Sequence, residues 1–223
     1  KTADMNLKLP AIQNGKPEMI ICEKSPEQEL QTDAGIERAR RIEAKMVQPD
    51  EDNMLAVCTY MTKVALDARI IDPEAEEYDG GKVALCAEKI IEINKANPGT
   101  AQAVFCDTNT PKKDAFSVYQ ALRERLVRSG EFAENEIAFV HDAANDKQRL
   151  AMFEKVNNAE IKIIIGSTGK LGTGVNIQRK LSALHHLDAP YRPSDIEQRN
   201  GRGIRQGNEN SEVYIGYYST KGT

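Results

Sequence analysis

The spacing of apolar and polar positions predicts the first elements of the chain. A short apolar run predicts a strand over residues 17–23, and two segments of helical composition predict helices over 26–47 and 51–71. Ser25, in the stretch SPEQ, is the predicted N-cap of the first helix. We therefore expect residues 1–80 to form one strand followed by a helical extension.

Beyond residue 80, apolar runs of strand length alternate with helical segments. Strands are predicted over 101–107, 136–142, 161–167, 181–188 and 211–219, and helices over 82–94, 115–130, 145–156 and 193–203. Strands that alternate with helices of this length form a mostly parallel sheet with helices on both faces. The pattern therefore predicts an α/β domain with three αβα layers over residues 81–223.

The predicted helix over residues 145–156 is amphipathic. Asn145 and Gln148 have the spacing of a capping box, in which two side chains satisfy the first backbone N–H groups of a helix. Leu150, Phe153 and Val156 recur at helical spacing, so we expect all three to face the sheet.

Four polar or glycine-rich loops follow the predicted strands. They read CDTNT, HDAAND, STGKLGTGVN and DAPYRPSD. Because parallel strands all end at the same edge of a sheet, these loops should lie together, and ligands of such sheets bind at that edge. The functional site is expected there.

Composition and charge distribution add an expected location and a candidate segment for binding a polyanion. Charged residues make up 29% and hydrophobic residues 40% of the chain, which is typical of a globular protein, and the start has no signal-peptide pattern. We therefore expect a cytoplasmic protein with no membrane partner. The net charge is −4, but residues 192–205 contain four arginines and two acids. A polyanion would be bound in that segment.

The cysteines and histidines do not predict a metal site. Cys22, Cys58, Cys86 and Cys106 are far apart and have no C-x-x-C spacing, so each is expected to pack as a small apolar side chain. His185 and His186 are adjacent, so on a strand they point to opposite faces.

The stretch IIIGSTGKLGTGVNI, residues 163–177, resembles a phosphate-binding loop in composition only. A P-loop requires the spacing G-x-x-x-x-G-K-[ST]. Here Leu171 follows the Gly169–Lys170 pair, and Ile164 stands five positions before Gly169. The chain also has no strand followed by D-E-x-H, and its acidic stretch DPEAEE is best explained as a solvated loop.

The segment RPSDIEQRNGRGIRQG holds the most specific pattern. Ser194 and Glu197 have capping-box spacing, so we expect a helix to begin there. At about 100° per residue, Gln198, Arg202 and Arg205 would lie within about 60° of one another on this helix. One face would then present an amide and two guanidinium groups.

The neighbouring positions allow two interpretations of this helix. Arg199 lies to one side of the predicted face, and Gly201 and Gly203 remove side-chain bulk, which suggests that another surface comes close. One interpretation is a solvated helix end, where basic residues are favoured by the macrodipole. The other is an arginine pair directed at a phosphate, since a planar guanidinium can bridge two phosphate oxygens.

These motifs together resemble a known family. QRNGRGIRQG resembles motif VI, Q-x-x-G-R-x-x-R, of superfamily-two helicases, and GTGVNI followed by LDAPYRPSDIEQR resembles motif V and its sequel in Swi/Snf-like ATPases. VFCDT resembles motif IV, and VHDAANDKQRLAMFEKVNN, YIGYYSTKGT and LPAIQNGKPEMIICEKSPEQ resemble other parts of the second lobe. The resemblance covers nearly the whole chain. It extends to helicase-like proteins of phage and mobile elements, some of them fused to adenine DNA methylases.

The resemblance implies a RecA-like second lobe of a nucleic-acid-dependent ATPase, either a helicase or a DNA translocase. In this family the P-loop and the Mg²⁺-binding acidic motif lie in a first RecA-like lobe, which is missing here. We therefore expect a fragment of a longer protein. Its implied partners are duplex DNA and that first lobe, and its implied cofactors are ATP and Mg²⁺, held mainly by the first lobe. Alone, the chain is expected not to hydrolyse ATP.

The resemblance also assigns roles to residues. Arg202 and Arg205 would stabilise the γ-phosphate, with Gln198 orienting them. The nucleotide-binding group implied by the family comprises Gly172, Gly174, Asn176 and Arg199. The group implied to contact the nucleic-acid backbone comprises Thr108, Ser167, Thr168 and Lys170.

The chain departs from the Swi/Snf pattern at several positions. Gly201 stands where that pattern has Asp, residues 206–208 read Gln-Gly-Asn in place of Ile-Gly-Gln, and Tyr191 replaces the usual Trp. These departures are closer to the general superfamily pattern, so chromatin substrates are not implied.

Two alternative functions stay open at this stage. One is a non-catalytic binding module, a degenerate lobe that keeps only its contacts. The other is part of an adenine DNA methyltransferase, because Asp188-Ala189-Pro190-Tyr191 resembles the [DNS]-P-P-[YFW] motif of amino-methylating DNA enzymes. Against it, Ala189 replaces the first proline of that motif, and the loop CDTNT has no glycine.

Overall fold

The computed structural model describes residues 8–171 and 175–222. The strands in these ranges are β1 (Ala11–Ile12), β2 (Glu18–Cys22), β3 (Ala101–Phe105), β4 (Ile137–Phe139), β5 (Ile163–Gly166), β6 (Leu181–His186) and β7 (Glu212–Thr220). The helices are α1 (Pro26–Glu43), α2 (Met54–Leu66), α3 (Lys82–Ala96), α4 (Val118–Arg128), α5 (Asp146–Asn157), α6 (Thr168–Leu171) and α7 (Pro193–Asn200). Helices and strands alternate from α3 onward.

The strands form one sheet in which all the pairs are parallel. The order is β7-β6-β3-β5-β4, and β1 and β2 both pair with the outer side of β7. Ala11 lies opposite Glu212 at the start of β7, and Glu18 lies opposite Gly216 further along. The two short strands therefore act as one interrupted edge strand. The loops after β3, β4, β5 and β6 all leave the sheet at its carboxyl edge.

The core has two layers, one on each face of the sheet. Ile163 and Ile165 of β5 face the layer formed with α3 and α4, where Ile90 and Leu122 are buried. Ile164, between them, faces the opposite layer formed with α5 and α6. A strand that is apolar at every position is therefore buried on both sides, as its sequence indicates. In the described ranges, no helix is long and apolar enough to cross a membrane.

Side-chain hydrogen bonds attach the N-terminal helices to the sheet. Ser25 is the N-cap of α1 as predicted, and it also forms a capping box with Gln28, with N–H to side-chain oxygen distances of 3.0 and 3.1 Å. The Gln28 amide also donates to the Val64 carbonyl at 2.6 Å, which joins α1 to α2. The Thr220 hydroxyl at the end of β7 donates to the Ala65 carbonyl at 2.7 Å. β2 lies before residue 80 but pairs with β7 in the same sheet. The predicted boundary between two domains at residue 80 stays a prediction.

Several local predictions are wrong. Leu150 is 63% exposed, because the buried side of α5 is narrow and holds Phe153 and Val156. Cys58 is exposed on α2, whereas the other three cysteines are buried. β4 ends at Phe139, and the following three residues form a 3₁₀ turn. β1 and α6 were not anticipated, because elements of two and four residues are too short to show periodicity.

Gly203 explains why the chain after α7 can approach the sheet closely. A Cβ atom at this position would lie 2.9 Å from Val213 Cγ1 and 3.2 Å from Leu184 Cδ1. We expected another surface to come close to Gly201 and Gly203. At Gly203 that surface is the sheet itself, at β6 and β7. By contrast, a Cβ added to Gly169 would meet nothing within 4 Å.

The interior of β6 contains two neutral histidines. His185 is fully buried, and its ring nitrogens lie 2.9 Å from Gln102 Oε1 and 2.9 Å from the Tyr218 hydroxyl. Burial, followed by the charges of His186 and Lys89, lowers the pKa of His185 to about 3. Burial and the nearby Arg199 guanidinium lower the pKa of His186 to about 3 as well. Both rings therefore resist protonation in the folded protein.

Folding stability is expected to fall as the pH is lowered from 7 to 5. The unfolded chain binds protons at these histidines below its ordinary pKa of about 6.5, whereas the folded chain does not until about pH 3. Each histidine should therefore make the free energy of unfolding about 2 kcal/mol lower at pH 5 than near neutral pH. Urea unfolding followed by circular dichroism at a series of pH values measures this slope.

The variant His185→Gln is the control for this prediction. It removes one titrating ring, so its unfolding free energy should change less steeply with pH than that of the wild type, whatever its stability at pH 7. An equal slope in the two proteins would contradict the assignment to His185.

Candidate functional site

Five side chains meet at the carboxyl edge of the sheet and form what we term the strand-end cluster. Its members are Asp107 and Thr108 after β3, Thr168 after β5, Asp188 after β6, and Arg199 of α7. Three of the four predicted loops, those after β3, β5 and β6, are therefore joined by direct side-chain contact.

Asp107 links β3 to β5 within this cluster. Its carboxylate accepts the backbone N–H and the hydroxyl of Thr168, each at 2.6 Å, and the Arg199 Nη2 group at 2.8 Å. Burial alone would raise the pKa of Asp107, but the Thr168 hydrogen bonds and the Arg199 charge outweigh burial and lower it. The carboxylate is therefore ionised at neutral pH and holds its three donors as an anion.

Asp188 links β6 to β3 in the same way. Its Oδ2 atom accepts the backbone N–H of Asp107 at 2.6 Å, and the backbone N–H and hydroxyl of Thr108 at 2.7 and 2.8 Å. Its Oδ1 atom accepts the Arg199 Nη2 group at 3.1 Å. Only 5% of Asp188 is exposed, so its carboxylate is occupied by protein donors.

Arg199 lies at the centre of the cluster and is fully buried. Besides both carboxylates, its guanidinium donates to the Asp188 carbonyl at 2.9 Å and to the Thr168 hydroxyl at 2.7 Å, and it lies 5.4 Å from the Phe105 ring centroid. This position does not fit the predicted contact of Arg199 with a nucleotide, because the side chain has no exposed surface. Its geometry is that of a residue that holds α7 against three strand ends.

The residues implied to contact nucleic acid differ in accessibility. The Thr168 side chain is buried and its hydroxyl is used within the cluster. Thr108 is half-buried, and its hydroxyl donates to Asp188. Ser167 is half-buried and Lys170 is exposed on α6. Lys170 is the only charged residue of these four, and it is accessible. Thr168 instead positions the short helix α6, which carries Lys170.

Arg202 and Arg205, which we term the arginine pair, converge on one backbone atom. The Nη1 group of Arg202 donates to the Val175 carbonyl at 2.9 Å, and the Nη1 group of Arg205 donates to the same oxygen at 3.0 Å. Both side chains are half-buried. Val175 is the first described residue after positions 172–174. Gly172 and Gly174, which the resemblance implies bind the nucleotide, lie outside the described residues.

The pair is not carried by a regular helix, which corrects the helical-face prediction. Helix α7 ends at Asn200, and tighter turns follow, with Gly203 and Ile204 both donating to the Asn200 carbonyl. The close packing of Gly203 on β6 and β7 brings the chain down at this point. Gln198 is exposed on the last turn of α7, and Asn176 is exposed after Val175.

The start of α7 also differs from the predicted capping box. The N-cap is Arg192, Pro193 occupies the first helical position, and no side chain caps this end. Proline is favoured at that position because its missing N–H is not needed there. Ser194 therefore lies inside the first turn and cannot act as the cap.

The electrostatics of the pair favour an anion. Burial and the positive charge of Arg205 lower the pKa of Arg202, so the two guanidinium groups repel each other. Arg205 forms no ion pair with a carboxylate in the described part of the chain, and the acceptor that the pair shares is a neutral carbonyl. Two neighbouring guanidinium groups that share a neutral acceptor would be stabilised by an anion, and a guanidinium can bridge two phosphate oxygens.

The motif DAPY is divided between two environments. Asp188 belongs to the strand-end cluster, while Tyr191 is 99% exposed. An amino-methylating site needs the acidic or amide side chain of this motif to hold an exocyclic amine. Here that carboxylate is occupied by Arg199 and by donors of residues 107 and 108, so the geometry does not favour the methyltransferase alternative.

The carboxylates of the cluster were missed as site residues by the sequence analysis. Their signal was present, since both β3 and β6 are followed after one residue by Asp. Nothing in the sequence indicated that one arginine would join them. In the ranges 8–171 and 175–222, no three His, Cys, Asp or Glu side chains are grouped so that they could hold a metal ion.

Comparisons with known proteins agree with this architecture. The family model of the helicase conserved C-terminal domain matches residues 82–207. The protein "Defense against restriction protein B" of Escherichia phage P1 is 42% identical over 162 residues, which cover 69% of this chain and 7% of that protein. The chain therefore spans a small part of the length of this relative.

Solved structures with the same fold include part of one ATPase domain and the core of another ATPase. The C-terminal part of the Fun30 ATPase domain has a TM-score of 0.68 at 15% identity, covering 96% of this chain and 86% of that one. The Sulfolobus solfataricus SWI2/SNF2 ATPase core in complex with dsDNA has a TM-score of 0.65 at 19% identity, covering 95% of this chain and 43% of that one. At these identities the likeness is one of fold, and it confirms the predicted RecA-like α/β architecture.

Arg199→Met is expected to destabilise the fold by about 3–5 kcal/mol, because it leaves two carboxylates of the cluster without their cation. Urea unfolding measures the loss. Arg192→Met, at an exposed arginine of the same segment, should change stability by less than about 0.5 kcal/mol.

A double-mutant cycle with Asp107→Asn separates the ion pair from the packing of the Arg199 side chain. The two substitutions should be non-additive by about 1 kcal/mol or more, because Asp107 and Arg199 are in direct contact. Additive effects would show that the pair carries no interaction energy.

Proposed function

The chain belongs to the helicase conserved C-terminal domain family, and we propose that it is the second lobe of a superfamily-two, Swi/Snf-like motor. In this proposal Arg202 and Arg205 are its arginine fingers. They would act on ATP held between this lobe and a first RecA-like lobe of the same parent protein. The observation that supports the proposal is the convergence of both guanidinium groups on the Val175 carbonyl. This contact places two forked cations beside the loop that resembles motif V.

The chemistry assigned to this chain is positioning and charge neutralisation. ATP with Mg²⁺ supplies the phosphoryl group that is transferred to water, and the first lobe is expected to hold both. As negative charge accumulates on the equatorial oxygens, a guanidinium that is already in place stabilises it without reorganisation. The Val175 carbonyl would orient Arg202 and Arg205 before the ligand arrives. Gln198 and Asn176 are exposed and available to the same interface.

We propose that the carboxyl edge of the sheet contacts the DNA backbone. Lys170 is exposed on α6, and Ser167 immediately precedes that helix. The Sulfolobus solfataricus SWI2/SNF2 ATPase core, which has the same fold, was solved in complex with dsDNA, and an exposed lysine at the carboxyl edge of the sheet suits a phosphate. The strand-end cluster then joins this edge to the arginines, since Thr168 in α6 donates to Asp107 and accepts from Arg199.

Arg205→Lys should lower the ATP turnover of a protein that contains both lobes by about a hundredfold or more, with little change in KM for ATP. Lysine keeps the charge but cannot form the planar two-point contact, and a finger acts mainly in the transition state. Steady-state ATPase assays with saturating duplex DNA measure kcat and KM separately. Arg40→Lys, on the exposed side of α1, is the matched control and should leave both constants unchanged.

Two outcomes would contradict the arginine-finger proposal. Equal losses in kcat and in nucleotide affinity would make the pair a ground-state binding site. An unchanged kcat would favour the non-catalytic binding module. The isolated 223-residue chain is expected to show no ATPase activity and provides the baseline.

Lys170→Ala should weaken DNA binding and DNA-stimulated ATP hydrolysis without changing the basal ATPase rate. Loss of one phosphate contact should also reduce the slope of log K against log[salt] by about 1. Fluorescence anisotropy with a labelled duplex over a salt series measures the slope. Lys95→Ala is the control, because Lys95 lies at the end of α3 next to the amino edge of the sheet. An equal effect of both substitutions would show that the contact is not localised at α6.

A further inference from the structure

A cavity of about 670 Å³ opens between α2, α7 and the carboxyl ends of β6 and β7. It is separate from the arginine pair, and neither Arg202 nor Arg205 lines it. Cavities of this size accommodate drug-sized ligands, and the carboxyl edge of a parallel sheet is where such ligands bind. The proposed motor function makes no use of this space.

The walls of the cavity are largely apolar. The apolar side chains that line it include Met19 of β2, Met61 and Leu66 of α2, Ile196 of α7 and Tyr217 of β7. Met19 is 58% exposed, so one wall is open to solvent. A ligand there would bury apolar surface against α2 and α7 together.

One buried cation lies in this wall. Lys82, the first residue of α3, lines the cavity although only 7% of the residue is exposed. Its side chain forms no hydrogen bond or ion pair with any residue in the ranges that the structure describes. Burial, which outweighs the nearby Asp188 charge, lowers the pKa of Lys82. The Lys82 Nζ atom is not one of the fully buried polar atoms that lack a partner, so the amine keeps access to the cavity that the residue lines.

The carboxylate that also lines the cavity does not neutralise this cation. Asp188 accepts hydrogen bonds from Arg199 and from residues 107 and 108. The Asp188 charge is therefore balanced by Arg199, whereas the Lys82 charge is not balanced by a direct contact. The cavity combines an apolar body with one uncompensated positive group.

We propose that this cavity binds a small organic anion, in which an apolar or aromatic body carries a single carboxylate, sulfonate or phosphate group that pairs with Lys82. The body would occupy the space between Met61, Ile196 and Tyr217, and the anionic group would lie at the start of α3. The inference does not rest on the proposed motor function, since none of these residues belongs to the arginine pair, to the strand-end cluster or to α6.

The test uses two fluorescent probes that differ only in charge. The anionic probe is 1-anilinonaphthalene-8-sulfonate, and its neutral counterpart is N-phenyl-1-naphthylamine. Fluorescence titration of the 223-residue chain should give one binding site for the sulfonate. Lys82→Met should weaken sulfonate binding about tenfold or more, while the neutral probe should bind within about twofold of wild type, because only the charged contact is lost.

Three controls make the result decisive. Lys147→Met, at an exposed lysine of α5, should leave both probes unaffected. Ala65→Phe, which fills the cavity from α2, should weaken both. Octanoate should displace the sulfonate at a lower concentration than octanol does. The melting temperature of Lys82→Met should equal or exceed that of wild type, because the substitution removes an unpaired buried amine.

Other outcomes would overturn the proposal. Equal sulfonate binding by wild type and Lys82→Met would show that the amine does not recognise the anion. Binding that Ala65→Phe leaves intact would place the probe elsewhere. A large drop in the melting temperature of both Lys82→Met and Lys82→Gln would make Lys82 a structural residue. None of these results bears on ATP turnover, so the two proposals fail independently.

Discussion

The buried guanidinium of Arg199 is the contact on which the rest of the site depends. It touches two carboxylates, a carbonyl and a hydroxyl that follow three different strands, and it is the only arginine among the described residues with no exposed surface. A buried ion pair of this kind adds little net stability compared with apolar packing, because desolvation offsets the attraction. Its effect is geometric, since it determines where α7 lies relative to the loops after β3, β5 and β6.

That geometry connects the two proposed functions of the lobe. Thr168 is held by Asp107 and Arg199, and it begins the short helix that exposes Lys170. Arg199 belongs to the same helix whose end leads to the arginine pair. A displacement of α6 by a bound polyanion would therefore act on the cluster, and through α7 on Arg202 and Arg205. These contacts form a contiguous path between the two proposed sites, of the kind that can carry coupling between sites.

Neighbouring arginines in one short segment have distinct environments. Arg192 is exposed at the start of α7. The charge of the buried Arg199 is balanced by two carboxylates, whereas Arg202 and Arg205 share the neutral Val175 carbonyl. The positive charges of this segment look alike in the sequence, whereas in the folded chain one is solvated, one supports the strand ends and two form the anion site that we propose. Lys82 is a further case, in which a charged residue is buried without a direct partner beside an apolar cavity.

The sequence by itself determined the class of the fold, the order of its elements and the position of the site along the chain. Apolar periodicity is a local property, and so are the Ser25 cap, the isoleucine run of β5 and the spacing of the motif VI arginines. Tertiary structure alone decided the role of each residue. Arg199 and Asp107 are 92 residues apart, and nothing in either local pattern indicated that they would pair. Likewise α7 ends at Asn200 because Gly203 packs against Val213 and Leu184, and Leu150 is exposed because the sheet covers only a narrow side of α5. The periodicity of apolar residues indicates which positions can be buried. The partner of a buried charge depends on how elements that are distant in the sequence pack together.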